Sequence, residues 1–437
     1  MRLALLLAGL AGGCSRGPGP AAVTPAQIPG LVAQAQQHPQ AAAVRFRLAA
    51  ALAAAGRCDT AVVVAQAAQV IEPDNVLGPL VAGACQEQAG RYDQAIAIYT
   101  EFAGRHPAAR GVAAVHARAQ LALRALAEQT ARQALAREAE LARQPAEPQT
   151  LAVLPLVVAG DSSYQPLARG LAELITTDLA YIRTLRLLER LQIGVLLDEL
   201  ELSQSDRVDP QTAARVGRLL RAERMVQGTA AIPREGPMQL SASIVTGAGV
   251  VRPVGRVTGP FKQLLSFEKR VVLDLAAQLG IRLTEAERQQ ILRQGPRNLA
   301  AFLAYSRALE AMDRGAYAAA ARHFRAAVRA DPGFRAARQG QQAAQAAPIM
   351  QQAGSNPGEY IAALPEVERG AAGAPASGGL LSAGTLDVVP AAGDAISQAG
   401  GAVSGSGTLD RQLAPETTGF PSIISVVNGI TIIFKRP

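Results

Sequence analysis

Leu151-Ala152-Val153-Leu154-Pro155-Leu156-Val157-Val158 is an apolar run of strand length without a single charged side chain. Such a run, with no polar alternation, is expected of a strand covered on both faces. A loop, Ala159–Ser163, separates it from a second pattern. Leu167, Leu171, Leu174, Ile175, Leu179 and Ile182 return every three or four residues, so one helical face is apolar and the opposite face is not. A doubly buried strand feeding a one-sided helix is the start of an α/β unit, in which helices cover a sheet.

Reading onward, Arg186–Glu189 is a short strand, and 191–201 and 211–220 are helices, the latter opening on Asp209-Pro210. Glu223–Ile232 and Met238–Thr246 form a hairpin across Pro233–Pro237. In its second strand Met238, Leu240, Ala242 and Ile244 alternate with Gln239, Ser241 and Ser243, so one sheet face meets water or a partner. A turn at Thr246–Gly249 leads into a strand over 250–257, and a helix over 261–279 carries Leu264, Leu265, Val271, Val272, Leu275 and Leu279. These elements predict a two- or three-layer α/β domain over residues 149–292.

The order of elements carries a resemblance. The run 151–156, then Gly170-Leu171-Ala172-Glu173-Leu174-Ile175-Thr176-Thr177-Asp178-Leu179, then Leu188-Glu189-Arg190, is similar to the superfamily of curli-secretion (CsgG) lipoproteins. That group includes the TolB amino-terminal domain, FlgO-type flagellar lipoproteins and penicillin-binding-protein activators. Leu196–Ser205, and Val216–Ala222 up to Val226-Gln227-Gly228, fit the same pattern. The resemblance implies a non-enzymatic envelope module that binds proteins or assembles into rings. Pore-forming members of the group insert long amphipathic hairpins. The connections here, at 233–237 and 246–250, are too short for membrane-spanning strands of about 9–11 residues each.

The flanks of this domain follow a different ruler. Pro39, Pro73 and Pro107 are spaced by 34 residues, as are Gly56 and Gly90, and Ala61 and Ala95. Within the second unit Gly83, Gly90, Tyr92, Ala95, Tyr99 and Pro107 fall where tetratricopeptide repeats place small, turn, aromatic and terminal proline residues. The first unit matches through Leu48, Ala49, Gly56, Ala61 and Pro73. A third copy, Ala308, Gly315, Tyr317, Ala320, Phe324, Ala327 and Pro332, lies within 299–334. The chain thus resembles a repeat protein, with repeats and a long capping helix (108–143) over 31–145 and a single repeat over 296–345. The fold class expected is α plus α/β, with helical hairpins flanking the sheet domain.

Cys58 opens the second helix of the first unit and Cys85 lies near the end of the first helix of the second. Antiparallel neighbours bring these ends together, which leaves a disulfide or two buried free thiols. The chain begins Met1-Arg2, continues through the apolar run Leu3–Leu10, and reaches Ala11-Gly12-Gly13-Cys14. A positive start, a short apolar stretch and small residues have the layout of a secretory signal over 1–13. The cysteine that follows resembles the lipobox of bacterial lipoproteins, which implies acylation at Cys14 and, with Ser15 next, an outer-membrane address facing the periplasm. An ordinary signal peptide with a coincidental Cys14 is the alternative. Residues 14–30 then read as a tether.

At the other end, 346–421 is dominated by Ala, Gly, Ser, Pro and Gln and is expected to be disordered, having too little apolar surface to offset ordering entropy. The chain closes with two β-branched runs around Asn428-Gly429, a hairpin signature over 422–437. So apolar a ribbon is marginal alone. It docks on an open edge of this chain or of a partner, or stays unpaired.

Composition narrows the chemistry. The 437 residues are 49% hydrophobic but 4% aromatic, and only Lys262, Lys269 and Lys435 among 43 basic residues are lysines. The arginines are scattered and not interleaved with aromatics, so the net charge of +8 does not build a nucleic-acid surface. No phosphate-binding glycine loop, HExxH, GxSxG or paired CxxC is present, and three cysteines and four histidines, widely spaced, offer no metal cluster. No cofactor and no enzymatic reaction are expected. The expected partners are other envelope proteins or peptides, the membrane through the lipid, and a second copy of the chain. Arg45, Tyr92, Tyr99 and Tyr317 on the repeats are the candidate contact residues. Glu189 and Arg190 read first as a structural ion pair, with a partner-contact site as the alternative. His323 and Asp178 are expected to serve packing and hydrogen bonding.

Overall fold

The computed structural model describes residues 21–201, 209–293, 295–372, 423–427 and 430–434. Helices α1 (Ile28–Gln37), α2 (Ala42–Ala54), α3 (Cys58–Ile71), α4 (Leu77–Gln88) and α5 (Tyr92–Arg105) are followed by the long α6 (Val112–Ala136) and the short α7 (Glu138–Leu141). The sheet domain contains β1 (Glu147–Val153), β2 (Val157–Gly160), α8 (Leu167–Leu179), β3 (Arg186–Leu187), α9 (Arg190–Glu199), α10 (Pro210–Leu219), β4 (Ala222–Ile232), β5 (Met238–Thr246), β6 (Val251–Gly259), α11 (Leu264–Gln278) and α12 (Glu285–Arg293). Beyond it come α13 (Leu299–Asp313), α14 (Tyr317–Ala330), α15 (Arg335–Gln352), α16 (Pro357–Ala372), β7 (Ile423–Val427) and β8 (Ile430–Phe434).

The sheet is mixed. Its order is β3-β1-β4-β5-β6, with β2 also paired to β4. The apolar run at 151–158 is two strands, not one. Pro155 has no N–H to give to a ladder, and the chain breaks there between Val153↔Val226 and Val157↔Thr229 before resuming along the same neighbour. Leu151, Val153, Leu156 and Val158 pack beneath α8 and α11, whereas Ala152 and Leu154 face α9 and α10. Both faces are covered, as the absence of polar alternation requires. Three layers result, and α13 lies on α8 as a fourth. The crossing is close because Gly170 of α8 meets Ser306 of α13; a β-carbon at Gly170 would overlap the serine side chain.

The helical hairpins α2/α3 and α4/α5 stack in order, and α13/α14 forms the third. Helix α6 is the spine between them. It packs on α5, on α9 of the sheet domain and on α15, and its buried stripe is mostly alanine, which permits three close neighbours. Two sequence expectations are corrected here. Residues 346–372, expected to be disordered, are the end of α15 and all of α16, so the helical region does not end at 345. The segment carries a helical stripe, Met350, Tyr360, Ala363 and Val367, that is buried against the second hairpin and α6. Pro348 and Pro365 lie inside these helices and mask the pattern in the sequence. Residues 373–422 lie outside the described residues. Beyond them β7 and β8 pair antiparallel from Ile423↔Phe434 to Val427↔Ile430.

Candidate functional site

Two buried charge networks join the helical hairpins to the rest of the chain. The first lies where α8, α9 and α13 meet. Arg190, at the first turn of α9, gives Nε to Glu173 Oε2 at 2.8 Å, and Nη1 and Nη2 to the Asp313 carboxylate at 2.6 and 3.0 Å. Arg169 Nε adds a third contact to Asp313 Oδ2 at 3.0 Å, and Arg124 of α6 donates to the Asp313 carbonyl at 2.6 Å. One guanidinium thus bridges the sheet-domain helix α8 and α13 of the third hairpin. Glu189 is buried beside them; its loss of water, with the Glu173 carboxylate next to it, pushes its carboxyl up to about 7 against the pull of Arg190.

The second network joins α4, α5 and α6 to α15 and α16. Arg118 of α6 pairs with Glu87 of α4, donates Nη1 to the Met350 carbonyl of α15 at 3.1 Å, and lies 5.9 Å from the ring centroid of Tyr360 on α16. Tyr99 completes the site by donating its hydroxyl to Glu87 Oε1 at 2.7 Å. Burial raises the Glu87 carboxyl, opposed by Arg118 and Tyr99. Gly83 makes room for the Tyr99 ring, which occupies the place its β-carbon would take.

A third cluster sets Asp178 of α8 and Glu268 of α11 around Lys269. Both acids are fully buried. Loss of water raises Asp178 to about 6, in spite of Lys269, and holds Glu268 well above the usual carboxylate range. A carboxyl held protonated against a carboxylate fits a helix–helix clasp.

The structure sorts the residues singled out in the sequence. Tyr99, Glu189 and Arg190 are buried: Tyr99 bonds Glu87, and Arg190 is in a structural ion pair, with Glu173 and Asp313. Arg45, Tyr92 and Tyr317 are half-buried and stay apart, on α2, α5 and α14. Cys58 and Cys85 are joined by a disulfide, with their α-carbons 5.6 Å apart. Cys14 lies outside the described residues. Sequence reasoning missed Glu87, Arg118, Glu173 and Asp313. Their signal was present: Glu173 sits inside the apolar stripe of α8, between Leu171 and Leu174, and Arg118 sits inside the alanine stripe of α6. A charge on a buried stripe requires a partner. Among the described residues no group of three His, Cys, Asp or Glu side chains could hold a metal ion, and no helix is long and apolar enough to cross a membrane.

Residues 125–231, from the second half of α6 to the end of β4, match the family model of the curli production assembly/transport component CsgG. No curated protein matches the chain. The match covers the sheet domain's first half together with the second half of α6.

Proposed function

We propose that the chain is an exported, lipid-anchored adaptor of the cell envelope, which binds protein partners through its helical repeats and its sheet domain and acts on cell-wall synthesis or secretion machinery. The observation that carries this reading is the match of residues 125–231 to a secretion-assembly family, placed on a domain clamped to helical hairpins by Arg190 and Asp313. A transport-related module fused to a repeat array suits a protein that holds one partner against another. Its work is binding, not turnover. The lipid at Cys14 would keep it at the outer membrane, facing the periplasm.

The second reading is a ring-forming component of an outer-membrane transport complex, which the assembly and transport role of the CsgG family favours. Against a pore stand the tight connections of the described sheet, residues 233–237 between β4 and β5 and 247–250 between β5 and β6. Native mass measurement of the acylated protein in detergent separates the two. One or two copies support the adaptor; a closed ring of many copies overturns it. Pull-down with the mature protein, with and without residues 30–145, then tests whether the repeats recruit the partner. Loss of membrane fractionation in Cys14→Ala checks the anchor.

A further inference from the structure

The loop before α8 and the hairpin of α13 and α14 wall an open crevice of about 490 Å³. That volume falls in the range of ligand pockets, roughly 300–1,000 Å³. Ser162, Ser163 and Gln165 line it on the loop side, and Arg307, Arg314 and His323 on the helical side. The crevice is built by one hairpin and a sheet-domain loop, not by stacked hairpins.

The helical wall is cationic, and its charge is not spent inside the chain. Arg307 is exposed and has no hydrogen-bond or ion-pair partner among the described residues. Arg314, also exposed, gives Nη2 to Glu310 Oε1 at 2.5 Å and leaves the rest of its fork to solvent. Burial, with the guanidinium groups of Arg307 and Arg322, holds the His323 imidazole below its ordinary value, and Glu310 opposes them. Glu310 is the sole acid among the lining residues. The nearest other acids are engaged elsewhere. Asp161 accepts from the Ser163 amide at 2.9 Å and faces Arg234 at 3.9 Å, while Asp313 is taken up by Arg190 and Arg169. The loop wall is uncharged, so it does not repel an anion.

The spacing selects the anion. Arg307 and Arg314 are two turns apart on α13, which separates their α-carbons by about 10 Å along the axis. A single phosphate or carboxylate does not span that distance. A chain in the polyproline II conformation advances about 3.1 Å per residue and returns to the same face every third residue, so carboxylates three positions apart share a face about 9 Å from each other. Each guanidinium fork suits one carboxylate.

We propose that this crevice binds an extended acidic segment of an envelope protein, whose carboxylates, three positions apart, are held by Arg307 and Arg314. The proposal rests on the adaptor reading and names the chemistry of one partner.

The probe is a fluorescent peptide with two aspartates flanking two prolines, added to the full mature chain in detergent at low salt and followed by anisotropy. Saturable binding is expected, weakened at least tenfold in Arg307→Gln and in Arg314→Gln, both at exposed positions where the fold does not depend on the side chain. Arg47→Gln removes the same charge from an exposed position on α2 and should leave the affinity unchanged. A peptide with its aspartates adjacent, ahead of the two prolines, should bind at least tenfold more weakly. No saturable binding, equal losses in Arg307→Gln and Arg47→Gln, or equal binding of the two peptides overturns the site. Displacement of the peptide by an equimolar amount of inorganic phosphate also overturns it, since that marks a receptor for a single anion. The peptide assay uses no natural partner and does not depend on copy number, so its failure is distinct from a failure of the adaptor reading in the pull-down or the mass measurement.

Discussion

Arg190 and Asp313 are 123 residues apart and share two hydrogen bonds, Nη1 to Oδ2 at 2.6 Å and Nη2 to Oδ1 at 3.0 Å. The pair is the polar bolt between the sheet domain and the third helical hairpin, with both side chains nearly out of water. Asp313→Ala leaves the guanidinium buried beside Glu173 alone. A broken buried pair costs about 3–5 kcal/mol, against little for replacing both members by apolar groups. Urea unfolding should show a large loss for Asp313→Ala and for Arg190→Met, and a loss well below their sum in the Arg190→Met, Asp313→Ala double variant. Strict additivity of the two losses would show that they do not act as a pair.

The same joint depends on the missing side chain of Gly170. A methyl there would overlap Ser306, whose hydroxyl donates to the Phe302 carbonyl at 2.9 Å, so α8 and α13 would have to separate. Overpacking of this kind costs about 1–3 kcal/mol. Gly170→Ala should lower the unfolding midpoint and raise amide exchange in α13, while Gly194→Ala, which meets nothing within 4 Å, should do neither. Unchanged exchange in α13 would mean that the helices are not in close contact.

These joints explain where the sequence was readable. The stripe of Leu167, Leu171 and Leu174 announced α8, and the 34-residue spacing of Gly56 and Gly90 announced the hairpin turns, where both glycines take positive φ. Periodicity speaks for one element at a time. What binds elements together is carried by isolated residues, Glu87 with Arg118 and Arg190 with Asp313, and no spacing rule pairs residues so far apart. Segment 346–372 was illegible for another reason. Averaged with the low-complexity residues after it, its composition hides a stripe that becomes apolar only when Tyr360, Ala363 and Val367 are placed on a helix interrupted by Pro365.

The disulfide sets a further expectation. Cys58 and Cys85 close a loop of sequence separation 27, which on the loop-entropy scale limits the unfolded chain by about 3–4 kcal/mol. It ties the second helix of one hairpin to the first helix of the next. Alkylation of the unreduced, oxidised protein followed by peptide mass analysis should find neither cysteine modified. Cys58→Ser should lower the thermal midpoint, and should do so far less under reducing conditions. Two alkylated thiols at these positions would rule the bond out.

Two buried carboxyls should respond to acidity in the direction opposite to ordinary acid denaturation. Burial and Glu173 raise Glu189 to about 7, and burial raises Asp178 to about 6, from ordinary values of 4.5 and 3.8. In each case the folded state holds its proton to higher pH than the unfolded chain does. The folded state therefore binds more protons between the two values, and stability from these groups is complete below about pH 4 and falls as pH rises through 6 and 7. For Glu189 the loss by pH 8 is on the order of 3 kcal/mol, since each tenfold difference in proton affinity is worth about 1.4 kcal/mol. Over pH 5.5 to 8 this fall in the urea midpoint is opposed by His116, whose imidazole is lowered by burial and whose contribution rises with pH, so the comparison with Glu189→Gln isolates the carboxyl. Glu189→Gln keeps the shape, removes the titration and should flatten that fall, with the larger gain in stability at pH 8. A pH dependence of the midpoint between 5.5 and 8 that is unmoved by Glu189→Gln would mean that Glu189 is ionised in the folded protein and that Arg190 outweighs its burial.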